Sequence, residues 1–577
     1  MQLAVHQDDA NILLKERNNL TESTLDKYRT AGQIAQTGLK YVISLINDSY
    51  HLGKVDRPYS VQELCILGDS MIHKLLSKVY ANTEKVREKG IAMPVNIDVN
   101  EFVNGFSPEL DDNNDYTFKQ GDTVTITLGV QIDGYTANIS HTIVIYPPGV
   151  EIEGELKPSG PLLGPEADSM IASNIANEAV VALLGLSLTP EKLSNLPLQA
   201  IGGNDKVISG KMIRNLVNSI AESFNCVVVP GSKVRRVRRF LAGQAEGIVA
   251  ETDFKGVVWD ESDQETNLMK RSSNDTELIT QEDARKSGNI SNNSSAIPSD
   301  EFIISADEVY NIDIKMTSIN KFEKEVGLIT LKEIDEFSGK NNQKDEFISK
   351  STIFIRDFAI THQLKLKSSR KLLGHIDKTY SVYPFKLSHT CESFPIKFND
   401  NIFQQLDKIK NELKTNKLGL SELSNRYLVR GKPIQTTQFL PLEIILKSAN
   451  PTGRHGIDSN KPVLPGMEIP LPQLGISSLK LKSLLKHSKP VGGVSRESTT
   501  VVLNSNNQEV IRLTGGNKTV NPSWTHSNFQ LNDSISQFVN QLSDLTQDSR
   551  FGIKIKEVQP LKINNEVLKI EDSMQLD

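Results

Sequence analysis

Between Gly121 and Pro147 the chain reads GDTVTITLGVQIDGYTANISHTIVIYP, and this segment constrains the fold more than any other. β-Branched residues alternate with polar ones on both sides of Asp133-Gly134, a dipeptide suited to the tight turn of a hairpin. Helices precede it. Residues 23–47 place Leu25, Tyr28, Ala31, Ile34, Ala35, Leu39, Val42, Leu45 and Ile46 close to the helical period, and Val61 to Val79 forms a second such stretch. Residues 165–187 and 209–224 return to helix, followed by a β-rich region, Cys226–Trp259, and another strand within Glu301–Met316. Two passages of helix pair then strand predict an α+β fold, with a central sheet and helices on one side.

Two stretches interrupt the pattern. Residues 260–300 are rich in Ser, Asn, Asp and Glu, too polar to bury the area that offsets chain entropy, and are expected to be a disordered polar insertion. Prolines at 451, 462, 465, 470 and 472, with glycines between them, mark a Pro/Gly-rich insertion placed at 436–490. The folded domain is then expected over 1–503, with 504–577 a C-terminal strand and polar extension containing one amphipathic stretch, Ile535 to Leu545. The N-terminal residues lack a sustained apolar core, so no signal peptide is expected. The longest apolar run, Val180 to Leu188, is too short to cross a bilayer. Cys65, Cys226 and Cys391 lie far apart, which excludes a disulfide scaffold or a CxxC motif and suits a reducing compartment.

Common catalytic signatures are missing. There is no HExxH helix, Walker loop, GxSxG elbow or GxGxxG turn, and the ten histidines are scattered singly.

The hairpin TITLGVQIDGYTANISHTIVI (125–145) resembles the metal-binding hairpin of methionine aminopeptidases. LDKYRTAGQIAQTGLKYV (25–42), GIAMPVNIDVNEFVNGFSPE (90–109), DEVYNIDIK (307–315), LKLKSSRKLL (364–373) and TTVVLN…VIRLTGG (499–516) match the same family in order. The resemblance spans most of residues 20–520 and implies the pita-bread fold with insertions, a helix-pair-and-strand unit repeated with pseudo-twofold symmetry around a pocket. Family members hold two divalent ions there with two aspartates, a histidine and two glutamates, and the ions supply a hydroxide nucleophile. Carried over position by position, the ligands fall on Thr127, Asn138, Gly243, Asp313 and Ser498, and a substrate-contacting histidine falls on Gly105. A slip of register would bring in Glu246 or Glu497, but adjacent strand residues face opposite sides, so Glu497 and Ser498 cannot both point inward. Asp313 alone cannot offset the dehydration of two doubly charged ions. No metal, no other cofactor and no catalytic residue is expected.

The strongest positive feature is GSKVRRVRRFLAG (231–243), where Lys233, Arg235, Arg236, Arg238 and Arg239 crowd together in a chain of net charge −6. Arginine forks suit phosphates, so these residues are RNA-binding candidates; a nuclear-import signal and a solvated charged face are the alternatives. Lys365, Lys367, Arg370 and Lys371 form a second candidate cluster, whose alternative is a solvated helix flank. KYRTAGQIAQT, GPLLG, VPGSKVRRVRRFLAGQAEGIVAE and YPFKLSH resemble a fungal branch of the family, related to the ErbB-binding proteins and labelled probable metalloproteases, whose members are export factors for large ribosomal subunit precursors. That resemblance implies a non-catalytic factor that binds the precursor near the peptide tunnel exit through ribosomal RNA and tunnel-exit proteins. It further implies contacts with nuclear pore components and other export and maturation factors, and shuttling between nucleus and cytoplasm. No membrane or DNA partner is expected. The rival readings are a metallopeptidase with an unusual ligand set and a peptide-binding adaptor unrelated to ribosomes.

Overall fold

The computed structural model describes chiefly residues 16–81, 86–147, 160–239, 256–264, 300–319, 327–334, 351–441, 484–516 and 524–561, less 113–115, 204–206, 262, 301, 399, 549 and 551. Helix α1 (Glu22–Ile46) starts at Thr21, whose hydroxyl accepts from the Thr24 N–H. Helix α2 (Val61–Lys78) starts with a capping box, in which Ser60 and Glu63 satisfy each other's backbone N–H. Both helices lay their apolar faces on strands β1 (Lys89–Val99), β3 (Thr123–Ile132) and β4 (Tyr135–Val144), in a core that includes Ile34, Leu39, Leu64, Leu67, Ile126 and Leu128. The short strand β2 (Phe102–Asn104) leaves this layer for a second sheet. Asp133 and Gly134 turn the β3–β4 hairpin with positive φ values of 55° and 87°, as the tight turn requires.

The order then repeats. Helices α3 (Pro165–Gly185) and α4 (Gly210–Ser223) precede β5 (Cys226–Val228), β6 (Lys233–Val237), β7 (Gly256–Val258) and β8 (Val309–Ser318). Next come β9 (Gly327–Ile334), β10 (Ile353–Arg356), helices α5 (Lys367–Thr379) and α6 (Ile402–Asn425), then β11 (Val429–Gly431) and β12 (Ile434–Pro441). The chain returns through β13 (Ser495–Asn504), β14 (Glu509–Arg512), helix α7 (Asp533–Gln547) and β15 (Lys554–Glu557). Among the described residues the main sheet has ten strands and runs β1-β3-β4-β13-β8-β6-β7, with β5 beside β8 and with β14 and β15 added beyond β13. The halves join where Ser140 of β4 meets Ser498 of β13. A second core, with Val180, Leu183, Ile213, Leu216, Ile312 and Leu503, sits between α3, α4 and this half of the sheet.

This is the α+β, pita-bread arrangement, with helices on one face of the sheet and a polar floor on the other. Because side chains alternate along a strand, Asn96, Asp98, Thr125, Thr127, Ser140, Asp313, Lys315, Arg496 and Ser498 share that floor. A second sheet, in which β12 pairs with β9 and β2, meets this side: the Val103 carbonyl of β2 accepts from Arg496 Nη1.

Three boundaries differ from the sequence reading. The Pro/Gly-rich insertion does not begin at 436, because Ile434–Pro441 is a full strand of the second sheet; most of the segment that follows lies outside the described residues. Of the 260–300 insertion, residues 265–299 lie outside the description, but Gln264 is buried and bonds the Ile329 N–H and C=O. The domain does not end at 503. Beyond it β14 pairs with β13, β15 pairs in parallel with β14, and α7 buries Ile535, Phe538 and Leu542 against the second core. The apolar segment around Val180 belongs to Pro165–Leu188, which is long and apolar enough to cross a membrane but is mostly buried inside the protein.

Candidate functional site

The floor of the main sheet is where the sequence placed a degenerate metal centre. Thr127 and Asn138 stand on paired strands, and the Thr127 hydroxyl lies 2.8 Å from that of Ser140. Asn138 lies against Gly129, where any Cβ would collide with its Oδ1. Its backbone is fixed by Thr500 and Thr514, whose hydroxyls both donate to the Asn138 carbonyl. Ser498 accepts a hydrogen bond from Asn311 Nδ2 at 3.3 Å. Gly243 lies outside the described residues. Gly105 has φ of 86°, and a Cβ there would sit 3.0 Å from the Pro433 carbonyl oxygen, so no histidine side chain fits that position without strain.

Asp313 is committed elsewhere. Its two oxygens accept from Arg496 Nε at 2.7 Å and Nη2 at 2.9 Å, a bidentate fork. Arg496 Nη1 also reaches the Thr127 hydroxyl at 3.4 Å, so one guanidinium links the first aspartate position to the first glutamate position. The pair is buried, with Asp313 3 % and Arg496 8 % exposed. Burial alone would raise the Asp313 carboxyl, but the Arg496, Lys315 and Lys233 charges outweigh it and hold the group well below the usual carboxylate range. Glu497, the slipped alternative, points to the helix side, where it bonds His141 Nδ1 at 2.9 Å.

More cations converge on the same floor. Lys315 is 5 % exposed, with Nζ 4.0 Å from Asp313, and burial brings its ammonium down to about 7 against the pull of Asp313. Half-buried Lys432 is brought down to about 8 by burial, with Lys233, Arg496 and Arg235 adding to the decrease. Asp98 is pushed up to about 6 by burial, despite the Phe106 N–H and the Arg496, Lys315 and Lys432 charges. Among the described residues, no three His, Cys, Asp or Glu side chains converge in a way that could hold a metal ion. The described residues do not fit a pair of divalent cations, because a guanidinium already occupies Asp313, the Asp98 carboxyl is turned to the Phe106 N–H, and the other neighbours are ammonium groups, hydroxyls and amides.

Sequence reasoning missed Arg496, Lys315 and Lys432. The first two could have been found: each stands two residues from a position already assigned to the floor, and strand alternation puts such residues on the same face.

The basic run 231–239 does not form one exposed patch. In β6 the alternation sends Lys233 and Arg235 toward the floor, where they pair with Asp313 and Asn311 of β8. Arg236 and Arg238 both bridge to Glu308, and Arg239 bridges to Asp133 while lying 5.4 Å from the Tyr135 ring centroid. The second cluster is different. Lys365, Lys367, Arg370 and Lys371 are all exposed at the start of α5, which packs against α6. Lys371 pairs with Glu392, and both side chains face solvent.

The chain is 63 % identical to the probable metalloprotease ARX1 of Debaryomyces hansenii, over the full length of both proteins. It belongs to the Arx1 family. The Saccharomyces cerevisiae Arx1, also named a probable metalloprotease, is 48 % identical over 97 % of each chain. A solved thermophilic Arx1 superposes with a TM-score of 0.50 at 16 % identity, covering 90 % of this chain and 98 % of that one, and agrees in fold. No family model matches the sequence. The Arx1 relatives thus carry a peptidase name, while the described residues of this floor include no group of three His, Cys, Asp or Glu side chains that could hold a metal ion.

Proposed function

We propose that this chain is a non-catalytic ribosome biogenesis factor that binds large ribosomal subunit precursors near the peptide tunnel exit and accompanies them from nucleus to cytoplasm. The observation that carries the non-catalytic half is the Arg496 fork on Asp313, a fixed cation at the position where a peptidase needs metal. An aminopeptidase substrate brings a positively charged amino terminus, and here it would meet Arg496, Lys315 and Lys432. The ribosomal half follows from the resemblance of the sequence to export factors for these precursors, and its partners are ribosomal RNA, tunnel-exit proteins, nuclear pore components and other maturation factors. The exposed cations at the start of α5 support it as the RNA-facing element, in preference to Arg236, Arg238 and Arg239, which pair with Glu308 and Asp133.

Two measurements test the halves separately. Calorimetric titration with Co²⁺ or Mn²⁺ is expected to show no binding, and tight two-site binding with peptide turnover would restore the peptidase. Gradient sedimentation of cell extract at low salt is expected to place the protein with large-subunit precursors, and its absence from those fractions would favour an adaptor unrelated to ribosomes.

A further inference from the structure

Helix α6 closes on a residue that its backbone disfavours. The Leu428 N–H bonds the Leu423 carbonyl and the Tyr427 N–H bonds that of Ser424, both at 3.0 Å, a closure that holds Tyr427 at a positive φ of 57°. Glycine takes that conformation freely, whereas a bulky side chain there is strained. Nothing within the fold accounts for the ring. It is 67 % exposed, and its hydroxyl has no hydrogen-bond partner among the described residues. Tyr80, another tyrosine with positive φ, differs, because its hydroxyl donates to Asp26 at 2.7 Å. A second ring stands close by. Arg356 of β10 lies opposite Val429 of β11, and the pairing continues into a bond from the Asp357 N–H to the Leu428 carbonyl, which brings Phe358 beside Tyr427 in the register. Phe358 is 48 % exposed.

The same end of α6 carries the start of α5. Glu422, less than two turns before Tyr427, accepts from the Lys365 and Leu366 N–H groups at 2.7 and 3.1 Å, and Arg426 Nη1 lies 3.4 Å from His362 Nε2. Two exposed rings therefore neighbour the exposed Lys365, Lys367, Arg370 and Lys371. The nearby acids are engaged: Glu422 holds those two N–H groups, and Asp357 pairs with Arg430.

We propose that Tyr427, with Phe358, is a stacking platform for an unpaired RNA base, whose flanking phosphates lie on Lys365, Lys367, Arg370 and Lys371. Cations alone attract any phosphate backbone, duplex or single strand. The rings select between them, because a base inside a duplex has both faces covered by its neighbours, and only an unpaired base has a face to offer. An acidic protein segment would satisfy the cations and leave both rings unused. The inference rests on the reading of α5 as the RNA-facing element and specifies the form of RNA that it meets.

The test is fluorescence anisotropy of the full chain with a labelled, unstructured RNA strand of about sixteen nucleotides, compared with the same strand annealed to its complement. The single strand should bind at least about fivefold more tightly than the duplex. Tyr427→Gly should weaken single-strand binding about tenfold and leave duplex binding and the salt dependence unchanged, because no phosphate contact is lost. Its melting temperature should stay level or rise, since glycine takes this φ without strain. Tyr427→Phe should bind like the unmodified chain. Unchanged single-strand affinity in Tyr427→Gly overturns the proposal, as does equal binding of single strand and duplex. A melting temperature lowered by several degrees in Tyr427→Gly also overturns it, by showing that the ring serves the fold. Displacement of the RNA by an equimolar oligoglutamate peptide does the same, by assigning the surface to acidic protein. If charge reversal of Lys365, Lys367, Arg370 and Lys371 abolishes binding while Tyr427→Gly changes nothing, only the stacking inference falls. If neither form of RNA binds the unmodified chain, the RNA-facing reading of α5 falls with it.

Discussion

At the residue scale, the pocket is governed by one ion pair. Replacing Arg496 with Met leaves the Asp313 carboxylate buried without its fork, and urea unfolding should show a loss of about 3–5 kcal/mol. Adding Asp313→Asn should recover part of that loss, because the double variant no longer buries an unpaired charge; strict additivity would refute the coupling. Lys315 gives a pH signature. Its ammonium is brought from 10.5 to about 7 in the folded protein, so between these values the unfolded chain holds a proton that the folded chain has released. Raising pH from 7 to 9 should therefore stabilise the fold through this group, by at most about 1.4 kcal/mol per pH unit, and Lys315→Met should flatten the slope. The hairpin was readable from its alternation, because a strand's period is short and the dipeptide Asp133-Gly134 pins the register. Glu497 shows the limit: its orientation depended on which residue of β13 meets Ser140, and only the pairing of distant strands decides that.

Elements account for the remaining differences. The basic run looked like a single surface because its charges are adjacent in sequence, whereas a strand distributes neighbours to two faces and carboxylates from distant segments then claim them. Reversing Arg236 and Arg238 to Glu should therefore lower the melting temperature by several degrees, since Glu308 then faces like charge. Reversing Lys365, Lys367, Arg370 and Lys371 should leave the melting temperature unchanged and weaken association with the large-subunit precursor, read by co-sedimentation across a salt series. Helix α7 was visible as the amphipathic stretch Ile535 to Leu545, but its role was hidden because its partners lie several hundred residues earlier. Phe538→Ala should cost about 3–5 kcal/mol, since that ring is fully buried in the second core. A variant of undiminished stability would return 504–577 to the status of an appendage.

On the scale of the whole molecule, the repeated helix-pair-and-strand order was legible from local signals, because each helix pair lays an apolar face on its own part of the sheet, and the two parts meet at Ser140 and Ser498. The Arg496 guanidinium lies close to that junction and is joined to the chain by covalent bonds. A peptidase of this architecture depends on the free concentration of its ions, by mass action, and loses them to a chelator. A cation attached to the backbone has no dissociation equilibrium. Dialysis against EDTA should accordingly leave the unfolding curve of this protein superimposable on that of the undialysed sample, making its integrity indifferent to metal starvation.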